Sequence, residues 1–132
     1  MSNVVRLAIH GQPRTVLLVE PRAPSRIEIA SYLRTRDYCV VEAVSGDEAL
    51  RLLRSGRIAH ILLSGLDLHD TAEGRQLAAA VAREFPHVTL LQGAARGKSG
   101  TGRPADLRRL ERAIRGALSD RPPAQLTDTP DP

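Results

Sequence analysis

Residues 15–19 read Thr-Val-Leu-Leu-Val, bounded by Pro13 on one side and Glu20-Pro21 on the other. A run that is apolar on both faces marks a strand buried within a parallel sheet, so Arg14 to Val19 is expected to hold the first strand. Pro24-Ser25 then opens a helix in which Ile29 and Leu33 lie four apart, ending near Asp37. Cys39 to Ala43 is a second short strand. Ser45 is placed to cap a helix, with Glu48 three residues on as its capping-box partner; Ala49, Leu50, Leu52 and Leu53 follow before Ser55-Gly56 ends it. Ile58 to Leu63 is the third strand and Leu66 to Thr71 a loop. Leu77, Val81 and Phe85, in steps of four, define a helix from Glu73 to Phe85 that Pro86 closes, and Val88 to Leu91 is the fourth strand. Strands alternating with helices of this length predict right-handed βαβ units, and therefore an α/β fold with an open parallel sheet and helices on both faces.

Gln92 to Gly102 breaks the alternation. Four glycines and no bulky apolar residue leave neither helix nor strand a basis there. Pro104 starts a last helix with Leu107, Leu110, Ile114 and Leu118 as its buried stripe and Arg108, Arg112 and Arg115 on the outer face. Three regions follow: an extension over 1–13, one domain over 14–119, and a Pro-rich tail over 120–132 that has little to bury and is expected to be disordered.

At 132 residues the chain suits one domain. With two Tyr, one Phe and no Trp, its core must be built from Leu, Val, Ile and Ala. A single cysteine, Cys39, excludes an internal disulfide and a Cys-based zinc site, and a β position makes it a small buried hydrophobe. Apolar runs fall far short of the ~20 residues a membrane span requires, and no signal-peptide core is seen in Met1 to His10, so a cytoplasmic protein is expected. The net charge is +4, but it is not spread evenly: residues 94–115 carry seven basic and two acidic side chains, a local +5. Such a patch suits an anionic partner.

The order of motifs resembles the receiver domain of two-component response regulators over about Arg14 to Leu118. The residues that carry it are V-L-L-V-E with Arg26 six on from Glu20, L-R-T-R-D-Y-C-V-V-E-A, S-G-D-E-A-L-R-L-L, I-L-L-S, G-R-Q-L-A and R-P-A-D-L-R-R-L-E-R-A-I. The resemblance implies a flavodoxin-like doubly wound fold and a place in a bacterial two-component pathway. It also implies a pocket in which paired acids hold Mg²⁺, an aspartate takes a phosphoryl group, and a hydroxyl and a lysine sense it.

Carried over position by position, that pocket is degenerate. Glu20 is the first acid, but Pro21 stands in place of the second. The acceptor position falls on Gly65, which has no side-chain nucleophile. The hydroxyl position falls on Gln92 and the lysine position on Arg103. Asp67 is the rescue candidate for an acceptor, at the cost of running the strand through Gly65. Only ten residues separate Gln92 from Arg103, where the family has a helix and a strand, so a truncated sheet is expected, with the fourth helix and fifth strand replaced by a Gly/Arg loop. The exposed edge, expected at the fourth strand, then needs covering by the last helix or another chain.

Other chemistry is weaker. G-A-A-R-G-K-S over 93–99 has one residue too few between its glycines for a phosphate loop and is followed by Gly and Pro instead of a helix. His10, His60, His69 and His87 form no ligand spacing, and no nucleophile–base pair is evident. The sequence therefore predicts a non-enzymatic module with no metal and no cofactor, acting on a protein partner through Glu20, Arg22, Asp67 and Gln92 at the pocket rim and through the basic loop and last helix. The alternative is a sensor of an anionic small molecule such as cyclic di-GMP, which some receiver-like proteins with arginine-rich segments bind. Here it would be held by Arg96, Lys98, Arg103, Arg108 and Arg112. Weak, salt-sensitive nucleic-acid binding comes third, and a homodimer remains open.

Overall fold

A computed structural model describes residues 14–93 and 104–120, with side chains of the last segment described from Leu107 to Ser119. The elements alternate throughout: β1 (Thr15–Val19), α1 (Ala23–Thr35), β2 (Cys39–Ala43), α2 (Gly46–Arg54), β3 (Ile61–Ser64), α3 (Ala72–Glu84), β4 (Thr89–Gln92) and α4 (Pro104–Asp120). The four strands form one parallel sheet in the order β2-β1-β3-β4. The expected extension over 1–13, the tail beyond 120 and most of the glycine-rich segment lie outside the described residues.

Strand alternation divides the core in two. On one face Leu17, Val19, Ala43 and Leu62 pack against Ala49 and Leu53 of α2 and Leu77 and Val81 of α3. On the other, Val16, Leu18, Ile61 and Leu63 meet Ile29 and Leu33 of α1 and Leu107, Leu110 and Ile114 of α4. The last helix thus lies on the α1 face, and Leu118 ends its stripe half-buried. β1 and β3 are central, and Val16–Val19 and Ile61–Leu63 are apolar on both faces, as doubly covered parallel strands require.

Local chemistry explains most boundaries. Ser45 Oγ accepts from Glu48 N at 3.1 Å, and the Glu48 carboxylate reaches back to Val44 N at 2.8 Å, one residue before the cap. Gly56, at φ +102°, leaves the helical region after α2. α1 stops at Thr35, before the expected Asp37, because Asp37 sits at φ +72°.

Four expectations need correction. β3 begins at Ile61, not Ile58: the register with β1 starts at Val16↔Ile61, preceded by the His60 N bond to Thr15 O at 2.9 Å, and Ile58 is 70% exposed before it. α3 begins at Ala72 because Thr71, whose Oγ1 accepts from Gly74 N at 3.0 Å, is the cap. Gln92 belongs to β4 and not to the loop, through its pairing with Ser64. Cys39 is exposed, because β2 is an edge strand and Cys39 is its first residue.

Candidate functional site

The carboxyl ends of β1, β3 and β4 converge where an open α/β sheet normally presents its site. Glu20 follows β1, Gly65 follows β3 and Gly93 follows β4. Each continues the ladder to the end of a neighbouring strand: Glu20 N donates to Ala43 O of β2 at 3.0 Å, Gly65 N to Val19 O of β1 at 2.7 Å and Gly93 N to Ser64 O of β3 at 2.6 Å.

Glu20 is only 3% exposed, unusual for an isolated carboxylate. Its partner is Arg22, two residues on: the Arg22 backbone N donates to Glu20 Oε2 at 2.9 Å, Nε to the same oxygen at 3.1 Å, and Nη2 to Oε1 at 3.4 Å. The pairing raises the Arg22 pKa above its ordinary value, chiefly through the hydrogen bond. Arg26 secures the same turn, Nη1 donating to Glu20 O at 2.9 Å.

Folded this way, the Glu20 side chain lies over Gly65. A Cβ at Gly65 would collide with Glu20 Oε1 and fall 2.9 Å from its Cδ, so the space an acceptor side chain would need is taken by the neighbouring acid. The cavity beneath, bordered by Leu18, Glu20, Leu63, Gly65, Gly93 and Leu110, is about 10 Å³, room for one water at most.

Gln92 and Asp67 are also engaged. Gln92 Nε2 donates to Leu66 O at 2.8 Å and its Oε1 accepts from Leu68 N at 3.0 Å, tying the β3–α3 loop to β4. Asp67 Oδ1 accepts from His69 N and Asp70 N, both at 2.9 Å, in an Asx turn leading into α3. Of the expected rim, Glu20 is buried, the half-buried Gln92 spends its amide on the β3–α3 loop, and Arg22 is exposed. Pro21 adds no donor or acceptor side chain.

A divalent ion at this position would need several carboxylate oxygens. Glu20 alone faces the site from β1, and the Arg22 guanidinium sits against its oxygens, where a cation would have to approach. These residues do not fit Mg²⁺. Among the described residues no group of three or more His, Cys, Asp or Glu side chains is placed to hold a metal.

Of the anion-binding candidates, Arg96, Lys98 and Arg103 lie outside the described residues. Arg108 and Arg112 stand exposed on α4, and Arg115 pairs with Glu111 at 2.7 Å. The role of Arg22 as the counter-ion that folds Glu20 inward was not readable from the sequence, since a two-residue Glu–Arg spacing has no meaning until the turn after β1 is built. The same holds for Ser64, fully buried at the end of β3, whose hydroxyl accepts from Leu66 N and donates to Leu66 O, each at 3.0 Å. No helix of the described residues is long and apolar enough to cross a membrane.

No family model matches the chain, and no curated protein matches it in sequence. Solved structures do match in shape. The chemotaxis response regulator CheY4 of Vibrio cholerae superposes with a TM-score of 0.63 at 20% identity, covering 81% of this chain and 100% of that one. The receiver domain of the hybrid histidine kinase CckA gives 0.56 at 24% identity, over 79% and 98% of the two chains. The N-terminal domain of a response regulator/sensory box/GGDEF protein from Carboxydothermus hydrogenoformans gives 0.56 at 19%, over 80% and 91%. At these identities the likeness speaks for architecture, and with the strand order and the two-faced helix packing it makes the fold that of a CheY-like receiver domain.

Proposed function

We propose that the protein is a non-enzymatic, receiver-like signalling module of a bacterial two-component-type pathway, working in the cytoplasm through contacts with another protein and without aspartyl phosphorylation. One observation carries the reading: the Glu20 carboxylate, held by Arg22, fills the space above Gly65. A phosphoryl group there would lack a nucleophile, a cation and room. Asp67 is a poor substitute because its carboxylate already caps the turn into α3.

The test is to incubate the protein with a small-molecule phosphodonor and Mg²⁺, and separately with beryllium fluoride and Mg²⁺, and to follow intact mass and thermal midpoint. No adduct and no shift are expected. An adduct, or a beryllium fluoride shift, overturns the reading. A cyclic dinucleotide in the same panel tests the alternative of an anion sensor, which the exposed Arg108 and Arg112 favour. At a hundred times its dissociation constant a ligand adds ~2.7 kcal/mol, several degrees in a domain this size.

A further inference from the structure

The arginines of the described residues are not all alike. Most are held by a neighbour: Arg22 by Glu20, Arg34 by Glu42, Arg54 by Glu84 and Arg115 by Glu111. On α4 that pattern stops. Arg108, Arg109 and Arg112 are exposed, and among the described residues none of their guanidinium groups makes an ion pair or a hydrogen bond. The one acid among the described side chains of α4, Glu111, is 9% exposed and is spent on Tyr38 and Arg115.

The stability of the fold does not account for these three. Arg108 and Arg112 stand one turn apart, and Arg109 and Arg112 three residues apart, spacings at which like charges repel. The helix docks through Leu107, Leu110 and Ile114 on its other side, a contact that any polar residue on the outer face would leave intact. Neither cavity reaches the arginines: the one at Gly65 meets α4 at Leu110, and the one bordered by Arg14, Ile58, His60 and His87 meets it at Leu118. Ala113, one turn on from Arg109, and Gly116, one turn on from Arg112, are small and exposed. Nothing lies within 4 Å of where a Gly116 Cβ would stand, so the ground beside the guanidinium groups is open to a protein backbone.

We propose that Arg108, Arg109 and Arg112 form a docking surface for an acidic segment of a partner protein, one that presents carboxylates about a helical turn apart. The planar fork of each guanidinium donates two parallel hydrogen bonds to a carboxylate. Three unpaired arginines match a few carboxylates and fall short of the ~6–10 phosphate contacts of a salt-sensitive DNA-binding protein. Their exposed neighbours Ala113, Gly116 and Ser119 offer no ring on which a base could stack. Exposed ion pairs are individually weak and screened by salt, so the contact is reversible and salt-dependent. This surface presupposes the protein-binding role proposed above and supplies its place and its partner chemistry.

Amide chemical shifts of the isotope-labelled full chain, titrated with poly-L-glutamate at low salt, should move most from Arg108 to Gly116, and the effect should vanish at about 0.5 M NaCl. Arg108→Glu combined with Arg112→Glu should weaken binding at least about tenfold. Arg51→Glu combined with Arg57→Glu lowers the net charge equally, from two other exposed and unpaired arginines, and should change binding by less than about twofold. All four positions are exposed, so both double variants keep the fold. A flat titration, shifts spread evenly over the arginines, or equal losses in the two double variants overturns the surface. So does tighter binding of a charge-matched DNA duplex than of poly-L-glutamate. None of these results touches the phosphodonor assay, on which the phosphorylation-independent reading stands or falls separately.

Discussion

Gly65→Ala probes the inward-folded Glu20 directly. Two effects oppose each other. Gly65 has a negative φ, so alanine can adopt its backbone, and the reduced freedom of the unfolded chain favours the variant by about 0.4–1 kcal/mol. Against this, the new Cβ collides with Glu20 Oε1, lies 2.9 Å from Cδ, and is 3.3 Å from Val19 O. The carboxylate is the movable partner, but moving it breaks its three hydrogen bonds from Arg22. Arg22 is exposed, which limits that ion pair to about 1 kcal/mol, while displacing a buried carboxylate from its backbone donor adds about 1 kcal/mol. The clash therefore prevails, leaving a net loss of about 1 kcal/mol, or about 4–8 °C in thermal midpoint. In a Glu20→Ala background the obstruction is gone, and Gly65→Ala should be neutral or stabilising. Thermal unfolding of the four proteins of this cycle by circular dichroism checks the change of sign. If G65A has the same effect with and without Glu20, the carboxylate does not occupy that space and the phosphorylation-independent reading loses its main support.

Gly74→Ala should be harsher, about 2–3 kcal/mol in urea unfolding, because its Cβ would run into Asp67 O and sit 2.9 Å from Leu68 Cα, and backbone cannot rotate aside. Gln92→Ala should cost about 1–3 kcal/mol by leaving the buried Leu68 N–H without its acceptor, and hydrogen exchange at Leu68 should speed up. Tyr38, whose hydroxyl donates to Glu111 at 3.4 Å, has its pKa raised above 10.0, first by burial and then by the Glu111 charge. A raised folded value means the stabilisation is complete below about pH 10 and is lost as pH climbs through the folded pKa. Absorbance titration of wild type against Tyr38→Phe should isolate a midpoint above 10, and wild type should lose stability more steeply than Y38F in that range.

Hydrophobic periodicity alone was enough for the element order, the parallel sheet and the two-sided helix coverage, since Val16 to Val19 and Ile61 to Leu63 can be satisfied only by burial on both faces. Local capping was legible at Ser45 and Gly56, which act through bonds and backbone angles set within a few residues, whereas Thr71, a cap in the structure, reads as loop in the sequence. Ile58 and Cys39 were misjudged because exposure depends on which strand lies beside which, and a one-dimensional pattern does not carry sheet order. Likewise, the sequence showed a glycine at the expected acceptor position and an acid at Glu20, but not that one fills the void left by the other. That required the ends of β1 and β3 to be brought side by side, with Arg22 turning the carboxylate inward. The outer position of β4 was expected from the shortness of the segment after Gln92; which strand it pairs with, β3 through Ile61↔Thr89 to Ser64↔Gln92, was settled by the tertiary arrangement of the described strands.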